Sequence, residues 1–168
     1  HTSGLDFADP VKVTDADPQQ ADYNWGRNIL FDYWTADSVH LQGILSIPDD
    51  YVPGQKRPML VDFYEKMSQS LHAYPTPIYR DTPMVAGYVS AGYLFLRPDI
   101  RFNLGATHTQ MLECINLAID EVEKMGYVDP ARIGLHGHSF SGQGAAYIAT
   151  HSDRFAAIVP GAAATDMV

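Results

Sequence analysis

Ile133-Gly134-Leu135-His136-Gly137-His138-Ser139-Phe140-Ser141-Gly142-Gln143-Gly144 is the stretch that decides how this chain is read. Ile133 to Gly137 is a short apolar strand, and the alanine-rich run Gly144 to Thr150 is a helix, so the glycine- and serine-rich bend between them is a tight strand-to-helix turn. Such a turn lifts Ser139 above the carboxyl edge of a sheet, where a base can reach its oxygen. Small neighbours are needed because the turn brings backbones together and strains the serine's dihedrals. The N–H of Phe140 points at the same spot from a helix N-terminus, whose partial positive charge stabilises developing negative charge on an acyl oxygen. The pattern G-x-S-x-G is met at Gly137 and Ser139, while its last position holds Ser141, which is small enough to keep the geometry. Phe155 to Val159 follows as the next strand, giving a parallel βαβ unit.

Working back from that unit, the clearest helix is His108 to Lys124. Thr107 caps it, with Gln110 completing a capping box, and Gly126 stops it. Met111, Ile115, Ile119 and Val122 fall on one side at helical spacing, and Glu113, Asp120, Glu121 and Glu123 form a solvated face. Val128 to Arg132 reads as a turn. The apolar runs Met59 to Tyr64 and Tyr93 to Leu96, with a helix over Pro83 to Ala91 between them, have the texture of strands buried on both faces. Asn28 to Thr35 and His40 to Ile47 read as a hairpin, followed by a loop over Asp49 to Arg57 with Pro53-Gly54 near its tip. His1 to Gly26, rich in Asp, Pro and Gln and without period, is a lead-in or linker; Tyr23, Trp25, Tyr33 and Trp34 pack between it and the core.

Composition sets the outer limits. The chain has 168 residues, 11 Lys and Arg against 20 Asp and Glu, and 46% hydrophobic residues, which fits a folded domain and argues against disorder. A net charge of -9 with no basic cluster disfavours a nucleic-acid-binding face. Cys114, on the long helix, has no partner for an intrachain disulfide and reads as an inert small hydrophobe. No apolar span of about 18 residues and no signal-peptide pattern is present, so the chain reads as soluble, with no membrane partner and its compartment open.

The segments 126 to 144 and 150 to 162 resemble the prolyl oligopeptidase family of serine peptidases, and the resemblance extends back through Pro58 to Tyr64 and more loosely through Asp15 to Leu45. It implies an α/β-hydrolase catalytic domain, a mostly parallel sheet flanked by helices, of which residues 27–168 would be the N-terminal portion and 1–26 the approach from a preceding propeller-like domain. It also implies that Ser139 is the acylated nucleophile, that Phe140 supplies one oxyanion-hole N–H, and that the Tyr64 hydroxyl supplies the other half, although Glu65-Lys66 follows where many members have glycines. The implied partners are a peptide substrate, the remainder of the catalytic domain and a β-propeller; no cofactor is implied.

An acyl-transfer triad on this fold runs Ser, then Asp or Glu, then His. After Ser139 the acids are Asp153 and Asp166, and the last histidine is His151, so the ordered triad is not completed within these residues. His151 lies 12 residues beyond the serine, about 18 Å along a helix, whereas a base must come within about 3 Å. The acid and base are therefore expected beyond residue 168, with further strands covering the sheet edge at Phe155 to Val159. His136 and His138 could pass for metal ligands on one face, but no third ligand is indicated and His138 is read as packed beside the bend. Asp99 and Arg101 read as a local ion pair. Two alternatives stay open: a carboxylic ester hydrolase on the same fold, and a non-catalytic hydrolase-fold interaction module.

Overall fold

The computed structural model describes residues 11–16, 18–22, 24–74 and 80–165. Much of the expected lead-in, including Tyr23, lies outside the described residues, as does Asp166. Six strands form one sheet in the order β1-β2-β4-β3-β5-β6.

β1 (Arg27–Trp34) and β2 (His40–Ile47) are the expected hairpin, antiparallel in register from Arg27 opposite Ile47 to Trp34 opposite His40. Alternation along β1 turns Phe31 and Tyr33 inward and Asp32 and Trp34 outward. Tyr33 is 1% exposed and belongs to the core, whereas Trp34 is 57% exposed and lies against His40, so the expectation that both pack under the lead-in is corrected by the strand's period of two. Trp25 packs its ring on Tyr74.

β2 runs antiparallel to β4 (Leu94–Pro98), and from there β3 (Arg57–Asp62), β4, β5 (Val128–His138) and β6 (Ala157–Gly161) are mutually parallel. Val128–Arg132, expected as a free turn, instead opens β5: Val128 pairs with Arg57 and Ile133 with Met59, and the extra residues bulge out of the ladder. Asp129 closes that bulge by accepting from Ala131 N at 3.1 Å and Arg132 Nε at 2.7 Å.

The inner strands β3 and β4 are buried on both faces because helices cover both, whereas β6 at the edge is largely exposed. Met59, Val61, Leu94, Leu96, Ile133 and Leu135 form one core with α2 (Thr107–Lys124) and α3 (Phe140–His151), while Phe95, also fully buried, meets Tyr88 of α1 (Val85–Ser90) on the opposite face. Met111, Cys114, Ile115, Ala118, Ile119 and Val122 are the buried stripe of α2.

The capping box is not formed. Thr107 is already the first helical residue, Ala106 is the N-cap, and the Gln110 side chain reaches back to accept from Asn103 N at 2.6 Å. The acids of α2 are not a freely solvated face either: Arg154 sits between Asp120 at 2.6 Å and Glu123 at 2.9 Å, and Glu113 accepts from Ala36 N at 3.3 Å. A long guanidinium from the loop before β6 thus ties that loop to α2, a contact no local period shows. The architecture is a mostly parallel α/β-hydrolase-type sheet, and its carboxyl edge gathers the ends of β3, β4 and β5.

Candidate active site

Ser139 occupies the junction of β5 and α3 with φ 58° and ψ −116°, a conformation open to L-residues only under strain, at a cost of about 1–3 kcal/mol. Contacts on three sides enforce it. Ser139 N donates to Gly161 O at 2.9 Å across the gap to β6, and Ser139 O accepts from Gln143 N at 3.1 Å to begin the helix. A Cβ on Gly137 would lie 2.2 Å from Ser141 O, and one on Gly142 would lie 2.2 Å from Gly161 O, so both positions exclude side chains. Ser141, standing where the motif has glycine, is 1% exposed. Its Oγ accepts from His138 N and donates to His138 O, both at 2.9 Å, so the hydroxyl laces the turn and satisfies itself.

Ser139 opens into a cavity of about 430 Å³ lined also by Asp62, Phe63, Tyr64, Met67, Asp81, Thr82, His138 and Ser141. Phe140 starts α3, and the first N–H groups of a helix have no acceptor within it, so this N-terminus presents donors beside the serine. Tyr64 follows the end of β3, is 45% exposed, and meets the Phe140 ring edge-on at 6.2 Å between centroids. Phe102 flanks Phe140 from the other direction at 5.3 Å. The structure therefore brings Ser139 and Tyr64 to one cavity, with the Phe140 ring against Tyr64 beside it.

Two acids at this edge escaped sequence reasoning. Asp81 stands 3.4 Å from His138 Nε2 on the cavity wall, and Asp62 accepts or shares a hydrogen at 2.8 Å with His136 Nδ1. The end-of-strand position of Asp62 is a signal that points to it; nothing local marks Asp81. His136 and His138 are each occupied by a carboxylate, and among the described residues no group of three or more His, Cys, Asp or Glu could hold a metal ion. His151 is at the far end of α3, stacked on Tyr147 at 3.8 Å, and Asp153 is exposed beyond it.

Asp99 and Arg101 do not pair. Asp99 Oδ1 accepts from Met67 N and Ser68 N, each at 2.7 Å, and Oδ2 accepts from Ser68 Oγ at 2.7 Å. Arg101 instead binds Asp37 in the hairpin turn, where the Thr35 hydroxyl and then Arg101 hold the Asp37 carboxyl below its usual range. The expected local pair fails because Asp99 is 5% exposed and faces the loop after β3. Buried Cys114 donates its thiol to Arg101 O at 3.6 Å, and burial pushes that thiol's pKa up.

Residues 103–168 match the model of the prolyl oligopeptidase family. No curated protein matches the chain. Among solved structures, the isopeptidase AtxE2 superposes with a TM-score of 0.70 at 17% identity, covering 91% of this chain and 26% of that one. The acylaminoacyl peptidase of Pyrococcus horikoshii gives 0.65 at 20% identity, covering 86% and 24%. The dipeptidyl peptidase 4 of Porphyromonas gingivalis gives 0.55 at 22% identity, covering 76% and 19%. The chain thus spans about a quarter or less of the length of these structures, and at such identities the likeness is one of fold. Among the described residues no helix is long and apolar enough to cross a membrane.

Proposed function

From the match of residues 103–168 to the prolyl oligopeptidase family, we propose that this chain carries the nucleophile half of a serine peptidase site that hydrolyses short peptides through an acyl-enzyme on Ser139. The observation that carries the reading is the positive-φ serine at the strand-to-helix turn, facing a cavity shared with Tyr64 and opening at a helix N-terminus.

In this reading the Ser139 hydroxyl oxygen adds to the peptide carbonyl carbon while a histidine takes its proton. The oxyanion that forms is stabilised by the Phe140 N–H and the Tyr64 hydroxyl. Collapse breaks the C–N bond, the protonated histidine returns the proton to the leaving amine, and an ester to Ser139 remains. Water then repeats the cycle on the ester and releases the acid. The histidine and its acid are supplied from outside these 168 residues, since His151 is held on Tyr147 at the opposite end of α3. A propeller preceding the sheet would restrict the substrate to short peptides.

A fluorophosphonate probe applied to the full-length protein, with mass mapping of the adduct, tests the nucleophile. Labelling at Ser139 that disappears in Ser139→Ala is expected, and labelling at a different serine would sink the assignment. Parallel assays on a peptide amide and on an ester of the same acyl group separate a peptidase from an esterase.

A further inference from the structure

We propose that Asp99 is a positioning residue for the oxyanion side of the site: its buried carboxylate sets where the loop 64–68, and with it the Tyr64 hydroxyl, stands relative to Ser139. The inference rests on the reading of Tyr64 as an oxyanion donor but uses contacts independent of it.

Asp99 itself is fixed to the sheet. Its N–H donates to Gln42 O of β2 at 2.8 Å, and its carbonyl accepts the buried hydroxyl of Tyr33 from β1. Burial raises the pKa of that phenol, so it stays a donor through the physiological range. From this anchored residue the carboxylate takes Met67 N, Ser68 N and Ser68 Oγ, and the next residue, Ile100, donates to Glu65 O at 2.6 Å. Residues 65, 67 and 68 are thus bound to residues 99 and 100.

The other ties to this loop lie at its far end, where Arg97 donates to Ser70 Oγ at 3.2 Å and Asn28 to Leu71 O at 2.9 Å. The loop's only regular element is the single 3₁₀ turn Ser68–Ser70, too short to sustain itself. Asp99 makes no salt bridge among the described residues, so the N–H and O–H donors of 67 and 68 stabilise its buried charge. Such charge-assisted bonds are shorter and about twice as strong as neutral ones. Tyr64 lies between two held points: Asp62, paired with His136 at the end of β3, and Glu65, bonded to Ile100. Both fix the backbone from which the Tyr64 side chain enters the cavity it shares with Ser139.

The test is a double-mutant cycle in the full-length protein, read as kcat and KM separately. Tyr64→Phe alone is expected to lower kcat about 100-fold, the scale of one lost oxyanion donor. Asp99→Ala is expected to lower kcat at least tenfold with KM within about twofold, and to reduce the further cost of Tyr64→Phe to under about threefold. Asp99→Asn, which keeps an acceptor for the two N–H groups and is the more conservative fold, should restore most of kcat. If Tyr64→Phe keeps its full effect in the Asp99→Ala background, or Asp99→Ala lowers Tm without touching kcat, the proposal is overturned. A failure of the functional reading looks different: Ser139→Ala and Tyr64→Phe would both leave turnover intact. Hydrogen exchange then decides the positioning claim alone, with amides 67 and 68 expected to exchange at least tenfold faster in Asp99→Ala, close to wild type in Asp99→Asn, and β3 and β5 unchanged in both. Unchanged exchange at 67 and 68 in Asp99→Ala would overturn it.

Discussion

Gly137 and Ser141 meet across the turn so closely that a Cβ on Gly137 would lie 2.2 Å from Ser141 O. The obstacle is backbone, which cannot swing aside as a side-chain end can. Gly137→Ala should therefore cost at least about 2 kcal/mol, in the upper part of the range for overpacking. Gly142→Ala, blocked by Gly161 O at the same 2.2 Å, should behave alike. Urea unfolding measures both, and a change under about 0.5 kcal/mol in either would contradict the geometry.

Ser141→Ala removes the hydroxyl that accepts His138 N. The N–H is left without that partner beside a buried position, a loss of about 1–3 kcal/mol. Because Ala keeps the Cβ and the helical propensity, the fold should persist, and circular dichroism with denaturant titration reads the cost cleanly. A stability equal to wild type would mean that water replaces the hydroxyl without penalty.

At the start of α2 the two candidate cap residues should separate. Thr107→Ala touches no capping bond and is expected to stay within about 0.5 kcal/mol of wild type. Gln110→Ala strips the acceptor from Asn103 N and should cost about 1 kcal/mol. Reversal of that order in thermal or urea unfolding would restore the capping-box reading.

Burial pushes the Cys114 thiol up, and the residue is 0% exposed. The folded protein should resist a disulfide-exchange reagent at pH 8 while urea-unfolded protein reacts at once. The sign for stability follows: below the ordinary thiol value of about 8.5 the burial has no ionic cost, and as pH rises above it the unfolded chain ionises while the fold does not, so stability declines. Rapid stoichiometric labelling of the native state would refute this.

What could be read from the sequence was local. The bend at Ser139, the hairpin and the apolar stripe of α2 depend on spacings of two to four residues, and each stands where its period puts it. The strand order was not local: β4 lies between β2 and β3, and only the folded sheet shows it. Side-chain partnerships were misread for the same reason. Asp99 and Arg101, neighbours in sequence, part company because Asp99 reaches Ser68, 31 residues away, and Arg101 reaches Asp37. Proximity along the chain is a poor guide where several loops converge on one sheet edge. The capping box failed by a single residue, since the helix begins one position before the geometry the motif needs.

The bond from Ser139 N to Gly161 O joins residues 22 apart, which gives the strained turn a schedule. Its dihedrals persist only when the surroundings over-determine them, and one of those surroundings is β6. At roughly 5–20 residues per second, a ribosome needs about one to four seconds to add the intervening chain. Through that interval the serine has been made but lacks the clamp from Gly161, and the contacts with Gln143 and Ser141 alone hold its dihedrals less firmly. The full set of constraints arrives with the docking of β6, so the turn takes its final shape only once its neighbouring strand is in place.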